Sequence, residues 1–141
     1  VSPLFEINDN LKPVMELKAP IVLIKNICKG ESVGYGCTYT AKKNMIIAIV
    51  QCGYADVLLK CFDSNGYVFF KDKKYKIVGK VSMDLLAIDC ENYNFKPYDE
   101  ITLWGGEIRE SRLEYLSTKY KTIPYVFLTS LSRRVRRIYV S

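Results

Sequence analysis

The chain of 141 residues contains no histidine, which removes the commonest general base at neutral pH. A Ser-His-Asp or Cys-His centre therefore cannot be built from this chain alone. Any acid–base chemistry carried here must use a tyrosine, lysine, cysteine or carboxylate side chain. Long apolar runs are missing as well, since none approaches the ~20 residues needed to cross a membrane. We expect no membrane contact from this chain.

Cysteine pairs at metal-binding spacing are also absent. The five cysteines are Cys28, Cys37, Cys52, Cys61 and Cys90, and no two of them form a C-x-x-C pair. Free cysteines in or beside apolar runs behave as small buried hydrophobes, so we expect neither a disulfide framework nor a metal site. This usage suits a reducing compartment, and we expect a cytoplasmic protein.

The first twenty residues contain prolines at positions 3, 13 and 20, which predicts an extended leading segment or linker. The chain has no initiator methionine and no signal-peptide pattern, so we expect it to be a piece of a longer protein. The net charge of +6 favours anionic partners, or serves solubility alone.

Short apolar segments with strand character recur along the chain. The predicted strands are residues 21–24, 45–50, 67–70, 75–78, 85–89, 101–104, 125–131 and 135–140. Only residues 110–120 show helical spacing, through Leu113, Leu116 and Tyr120, and Ser111 with Glu114 predicts a capping box at their start. The pattern indicates a mainly β domain with one helix near the C-terminus.

Two segments carry residues suited to chemistry. The strongest strand, residues 45–50, is followed by Gly53, which permits a sharp turn and holds Tyr54 at a fixed angle. The alternative is that Tyr54 only covers the end of a barrel. The second segment, residues 77–84, ends in Val81-Ser82-Met83-Asp84, where backbone N–H groups can face a carboxylate.

Taken in order, these motifs resemble the C-terminal domain of alanine racemases. The match runs from Lys-x-Glu-Ser-Val-x-Tyr-Gly-x-Thr-Tyr-Thr at 29–40, through Gly-Tyr-Ala-Asp at 53–56 and Ile-Val-Gly-Lys-Val-Ser-Met-Asp at 77–84, to Arg-Val-Arg-Arg-Ile-Tyr at 134–139. The resemblance covers nearly the whole chain. It implies a single domain over residues 1–141, a small Greek-key-like β-barrel with one short C-terminal helix. In the family, an N-terminal (β/α)8 barrel precedes this domain.

The resemblance implies an enzyme that interconverts L-alanine and D-alanine for peptidoglycan synthesis. The cofactor, pyridoxal 5'-phosphate, is held by a lysine of the N-terminal barrel and acts as an electron sink. Tyr54 matches the catalytic tyrosine, which exchanges the α-proton on the face opposite that lysine. Met83 matches a residue whose backbone lies near the substrate carboxylate, and Asp84 follows it near the active-site entrance. The implied partners are the N-terminal barrel domain, the other subunit of a head-to-tail homodimer and a small amino-acid substrate.

A tyrosine hydroxyl ordinarily has a pKa of about 10, so a tyrosine base at neutral pH needs positive charge nearby. In the family the barrel domain supplies that charge. We therefore predict that this chain is inactive alone.

The chain departs from the family pattern at three places. Val57 stands where the family usually has glycine, Arg133 takes the place of a tyrosine that contacts the cofactor phosphate in some members, and Arg136 replaces a proline. The residues of this chain that bind cofactor are therefore left unassigned. The alternatives are a serine/alanine racemase of a vancomycin-resistance system, a non-catalytic dimerisation domain, or a nucleic-acid-binding β domain, although we expect no nucleic-acid partner.

Overall fold

The long first strand determines how the sheet closes. In a computed structural model, which describes residues 10–57, 62 and 66–141, strand β1 (Glu16–Ile27) pairs antiparallel with two different strands. Up to Pro20 it pairs with β8 (Glu100–Gly105), and from Ile21 it pairs with β4 (Met45–Val50). Proline has no backbone N–H, and β1 passes from one partner to the other at this residue.

The remaining strands complete a closed antiparallel barrel in the order β1-β4-β7-β6-β5-β8. They are β5 (Tyr67–Phe70), β6 (Lys73–Val78) and β7 (Leu86–Asp89), while β2 (Ser32–Val33) and β3 (Tyr39–Thr40) form a separate two-stranded sheet. Strands β5, β6 and β7 form a meander, and β8 returns to lie beside β5. This is the Greek-key arrangement, so the predicted mainly β barrel fold is confirmed.

Alternate residues of each barrel strand fill the interior, as the two-residue period of a strand requires. On β7, for example, Leu86 and Ile88 belong to the main core, whereas Ala87 between them belongs to a second apolar cluster. The largest fully buried side chains of the main core include Trp104, Phe62, Phe127, Ile21, Ile77, Ile88 and Ile101.

The second cluster lies on the outer face of β4, β6 and β7. It joins Ile47, Val78 and Ala87 to Val33 and Ala41 from the segment that contains β2 and β3. That segment is therefore held against the outside of the barrel by burial of apolar surface.

Two short helices follow the barrel, α1 (Leu113–Lys119) and α2 (Pro124–Thr129). The prediction of one C-terminal helix was thus wrong in number. The strand predicted at residues 125–131 is also wrong, because Pro124 occupies the first turn of α2, where a missing N–H costs nothing. The buried residues of α2, Pro124 and Phe127, are three residues apart, which is the spacing of one helix face.

The strand predicted at residues 135–140 is wrong as well, since that segment forms no regular element and its last residues are exposed. The predicted capping box was not found. Arg112 is the N-cap residue of α1 without a side-chain cap, and the Ser111 hydroxyl instead donates to the carbonyl oxygens of Gly105 and Ile108.

The other strand predictions are confirmed, with β1 beginning at Glu16 rather than at residue 21. Residues 1–9 of the predicted leading segment lie outside the described residues, as does Cys61. Of the other cysteines, all free, Cys28 and Cys37 are exposed whereas Cys52 and Cys90 are buried. Within the described ranges, no helix has the length and apolar character of a membrane span.

Candidate active site

Two turns meet at one end of the barrel. We call residues 53–57, which follow β4, the tyrosine turn, and residues 82–85, which lead into β7, the methionine turn. Because β4 and β7 pair antiparallel, with Val50 opposite Leu86, the end of one strand lies beside the start of the other. The register of the sheet therefore brings Tyr54, Met83 and Asp84 to the same end of the barrel.

The backbones of the two turns are hydrogen-bonded to each other. The N–H of Tyr54 donates to the carbonyl of Ser82 at 3.0 Å, and the N–H of Ala55 donates to the carbonyl of Met83 at 3.0 Å. Gly53 is needed for this approach, since a Cβ at that position would lie closer than 3.0 Å to the Met83 carbonyl oxygen. The position of Tyr54 is thus fixed by the methionine turn as well as by its own strand.

Each turn also has internal hydrogen bonds. Gly53 donates its N–H to the Asp56 carboxylate at 2.9 Å, while Asp56 returns its own N–H to the Gly53 carbonyl at 3.0 Å. In the methionine turn, Ser82 and Leu85 exchange backbone and hydroxyl hydrogen bonds. Such side-chain-to-backbone bonds define the turn conformation locally.

Two residues of these turns that could act on a ligand are exposed. Tyr54 is 46% exposed and Met83 is 52% exposed. Among the described residues, the Tyr54 hydroxyl and the Met83 N–H have no hydrogen-bond partner. A free hydroxyl and a free backbone donor on two adjoining turns can handle a proton and a carboxylate.

Arg134 is a residue of this site that sequence reasoning did not assign. Its Nε donates to Asp56 Oδ1 at 2.6 Å and its Nη2 donates to Asp84 Oδ1 at 2.6 Å. These two hydrogen bonds, Asp56 first, raise the pKa of the Arg134 guanidinium. Asp84 therefore faces Arg134 in this structure, in addition to lying at the exposed edge of the site.

The basic C-terminal segment was a signal that could have revealed Arg134. Four arginines at 133, 134, 136 and 137 lie in a chain whose candidate motifs both end in aspartate, at 56 and 84. Sequence alone could not select among the four, because the choice depends on how α2 delivers the segment to the turns.

Cys52 lies immediately before the tyrosine turn and belongs to the main core. Its burial, and next the negative charge of Asp56, raise the pKa of the Cys52 thiol to about 12. The thiol is thus protonated at neutral pH and is not a candidate nucleophile.

The segment that contains Tyr35 packs against residues 79 and 80, which precede the methionine turn. Tyr35 is exposed, and Gly34 packs so closely on Gly79 that a Cβ at either glycine would contact the backbone of the other segment. This contact holds the outer segment against the loop that leads to the methionine turn.

Known proteins share both the sequence pattern and the fold. The family described as "Alanine racemase, C-terminal domain" matches residues 14–139. The chain is 40% identical over 135 residues to the alanine racemase of Vesicomyosocius okutanii subsp. Calyptogena okutanii, covering 96% of this chain and 38% of that protein.

Solved structures show the same relationship. The biosynthetic alanine racemase from Pseudomonas aeruginosa matches with a TM-score of 0.83 and 32% identity, over 94% of this chain and 36% of that one. The alanine racemase from Bartonella henselae with covalently bound pyridoxal phosphate matches with a TM-score of 0.80 and 33% identity, over 89% and 34%. The chain spans about a third of the length of these relatives. Because the family match covers most of its residues and the fold is shared, the chain belongs to the family of alanine racemase C-terminal domains.

Proposed function

We propose that residues 1–141 form one domain of an alanine racemase that interconverts L-alanine and D-alanine in the cytoplasm for peptidoglycan synthesis. In this proposal the domain presents Tyr54 to a cofactor site on a partner subunit of a head-to-tail homodimer. The observation that carries it is that an exposed Tyr54 and the Met83 N–H, which has no partner among the described residues, lie on two turns that are hydrogen-bonded to each other.

The proposed role of Tyr54 follows from what racemisation requires. The α-proton must leave on one face of the substrate and return on the other, so two acid–base groups must stand on opposite sides. In a chain without histidine, Tyr54 is an exposed acid–base residue where the two turns meet, whereas the carboxylates of Asp56 and Asp84 are ion-paired with Arg134. The Oη of Tyr54 would hold or move the proton on one side.

The proposed role of Met83 is to receive the substrate carboxylate. Its carbonyl is engaged by Ala55 while its N–H points to no described partner. A backbone N–H of this kind binds a carboxylate without a charged side chain. Asp84, one residue on, would border the entrance, and its carboxylate would be held there by Arg134.

The residues of this site do not fit pyridoxal phosphate. Neither turn contains a lysine, and the Arg134 guanidinium is already shared between two aspartates. We therefore assign the cofactor to the N-terminal barrel domain, outside this chain. Both carboxylates of the site, Asp56 and Asp84, are ion-paired with Arg134, which supports the proposal that a partner completes the site with a second acid–base group.

The test is the Tyr54→Phe variant of the full-length racemase, with the exposed Tyr35→Phe as the matched control. Removing the hydroxyl should lower kcat by at least about 100-fold in both directions, given what a positioned acid–base group contributes. Tyr35→Phe should retain wild-type rates. Unchanged racemisation by Tyr54→Phe would contradict the proposed role, and assays with both alanine and serine would establish the substrate.

A further inference from the structure

We propose that Arg134 is a positioning residue for racemisation: it clamps the tyrosine turn to the methionine turn and thereby sets the position of Tyr54 relative to Met83. This inference rests on the proposed function of Tyr54. It concerns a residue at the C-terminal end of the chain, 80 positions from the tyrosine that it would orient.

The first support is the geometry of the guanidinium. One edge of Arg134 reaches the tyrosine turn through Asp56 at 2.6 Å, and another nitrogen reaches the methionine turn through Asp84 at 2.6 Å. A planar guanidinium has fixed donor directions, so it can hold two carboxylates at a set separation. A lysine ammonium on a flexible stem has no such fork.

The second support is that Asp56 links Arg134 to the backbone of the tyrosine turn. Its side chain is only 16% exposed, and its second oxygen accepts the N–H of Gly53. A continuous chain of bonds therefore runs from Gly53 through Asp56 and Arg134 to Asp84. Tyr54 lies between Gly53 and Asp56, the two residues that the first of these bonds joins.

The third support is that Arg134 is itself held in place. Two residues before it, the N–H of Ser132 donates to the Asp56 carbonyl at 2.7 Å. Three residues after it, Arg137 donates to the Val135 carbonyl at 3.1 Å and more weakly to Leu131 and Ser132. The segment that carries Arg134 is thus registered on the tyrosine turn independently of the ion pairs.

Loss of the Arg134 ion pairs should change the geometry of the site more than the stability of the protein. Arg134 and Asp84 are 45% and 57% exposed, and exposed ion pairs contribute little to folding. The Tyr54 hydroxyl has no described hydrogen-bond partner, so its position depends on the backbone of its turn. A displacement of about 1 Å in a reacting group can lower a rate by about 100-fold.

The experiment compares Arg134→Gln with Arg136→Gln in the full-length racemase. Arg136 is an exposed neighbour that has no ion pair among the described residues. We expect Arg134→Gln to lower kcat by about 10- to 100-fold, with a smaller change in KM, while Arg136→Gln keeps wild-type values. Arg134→Lys, which retains the charge but not the fork, should be intermediate.

A second readout separates positioning from a loss of stability. In deuterium oxide, the base opposite Tyr54 can remove the α-hydrogen and return a deuteron on its own face, which exchanges hydrogen without inversion. For the alanine enantiomer whose α-hydrogen faces that opposite base, displacing Tyr54 slows only inversion. Arg134→Gln should therefore raise the ratio of exchange with retention to inversion for this enantiomer. Fewer folded molecules would lower both rates equally and leave this ratio unchanged.

The outcomes are distinct. Suppose that Arg134→Gln keeps the wild-type kcat and exchange ratio while Tyr54→Phe is inactive. This result would overturn the role of Arg134 and leave the proposed function standing. Full activity of Tyr54→Phe would overturn the proposed function itself. If Arg134→Gln does not accumulate as folded enzyme, Arg134→Lys carries the test, and wild-type kcat in that variant overturns the proposal.

Discussion

The carbonyl oxygen of Met83 occupies the space where a side chain on Gly53 would begin, since a Cβ there would lie closer than 3.0 Å to that oxygen. The obstacle is backbone, which cannot swing aside like the end of a flexible side chain. Gly53→Ala should therefore separate the two turns, destabilise the protein by about 1–3 kcal/mol through overpacking, and lower kcat of the full-length racemase. Thermal unfolding and steady-state rates measure the two effects.

Gly30→Ala is the control for this substitution. Gly30 has a φ of +92° but open space where its Cβ would lie. Its replacement should cost about 1–2 kcal/mol through backbone strain alone and leave racemisation unchanged. Equal losses of activity in the two variants would show that the Gly53 contact has no special role.

The barrel strands were predictable because their pattern is local. The apolar run of β4 and the hairpin of β5 and β6 each follow from a few adjacent residues, and the resemblance supplied their arrangement. The start of β1 could not be predicted from the sequence. Residues 16–20 are short, end in Pro20 and form a strand only through their pairing with β8, which is distant in sequence.

Helix α2 shows where local composition misleads. Tyr125, Val126 and Phe127 have the β-branched and aromatic character of a strand, yet Pro124 at the first turn and the burial of Pro124 and Phe127 fit a helix. The ion pairs of Arg134 could not be predicted from local composition either. They join residues 50 and 78 positions apart in sequence, and only the packed helix brings them together.

The corrected assignment of α2 leads to a stability prediction. Phe127 is almost fully buried and its ring packs edge-to-face on Phe62 at 6.3 Å between centroids. Phe127→Ala should destabilise the protein by about 3–5 kcal/mol. Tyr125→Ala, on the exposed side of the same helix, should cost much less in a urea unfolding experiment. Comparable losses would contradict the burial pattern of α2.

The cysteines provide a pH-dependent prediction. Burial, and next the charge of Asp56, raise the pKa of Cys52 to about 12, and burial with the charge of Asp89 raises that of Cys90 to about 11. The reactive form is the thiolate, which forms above the pKa, so both thiols should resist alkylation in the native protein at about pH 8. Exposed Cys28 and Cys37 should react first, as mass spectrometry of digested protein would show. Early labelling of Cys52 would indicate that the tyrosine turn opens.

The incomplete site leads to a prediction about the chain by itself. Because the tyrosine and methionine turns contain no lysine and the Arg134 guanidinium is held by two aspartates, the purified chain mixed with pyridoxal phosphate should produce no D-alanine from L-alanine. Chiral chromatography of the amino acids after long incubation measures this directly. Appreciable D-alanine would contradict the assignment of cofactor and second base to another domain.

Isotope exchange in the full-length Tyr54→Phe variant shows whether Tyr54 moves the α-proton on one face of the substrate. In deuterium oxide, one alanine enantiomer should still take up α-deuterium with retention, because the opposite base remains, while inversion falls by at least about 100-fold. Inversion that persists at the wild-type rate in this variant, with exchange and inversion still coupled, would contradict the account.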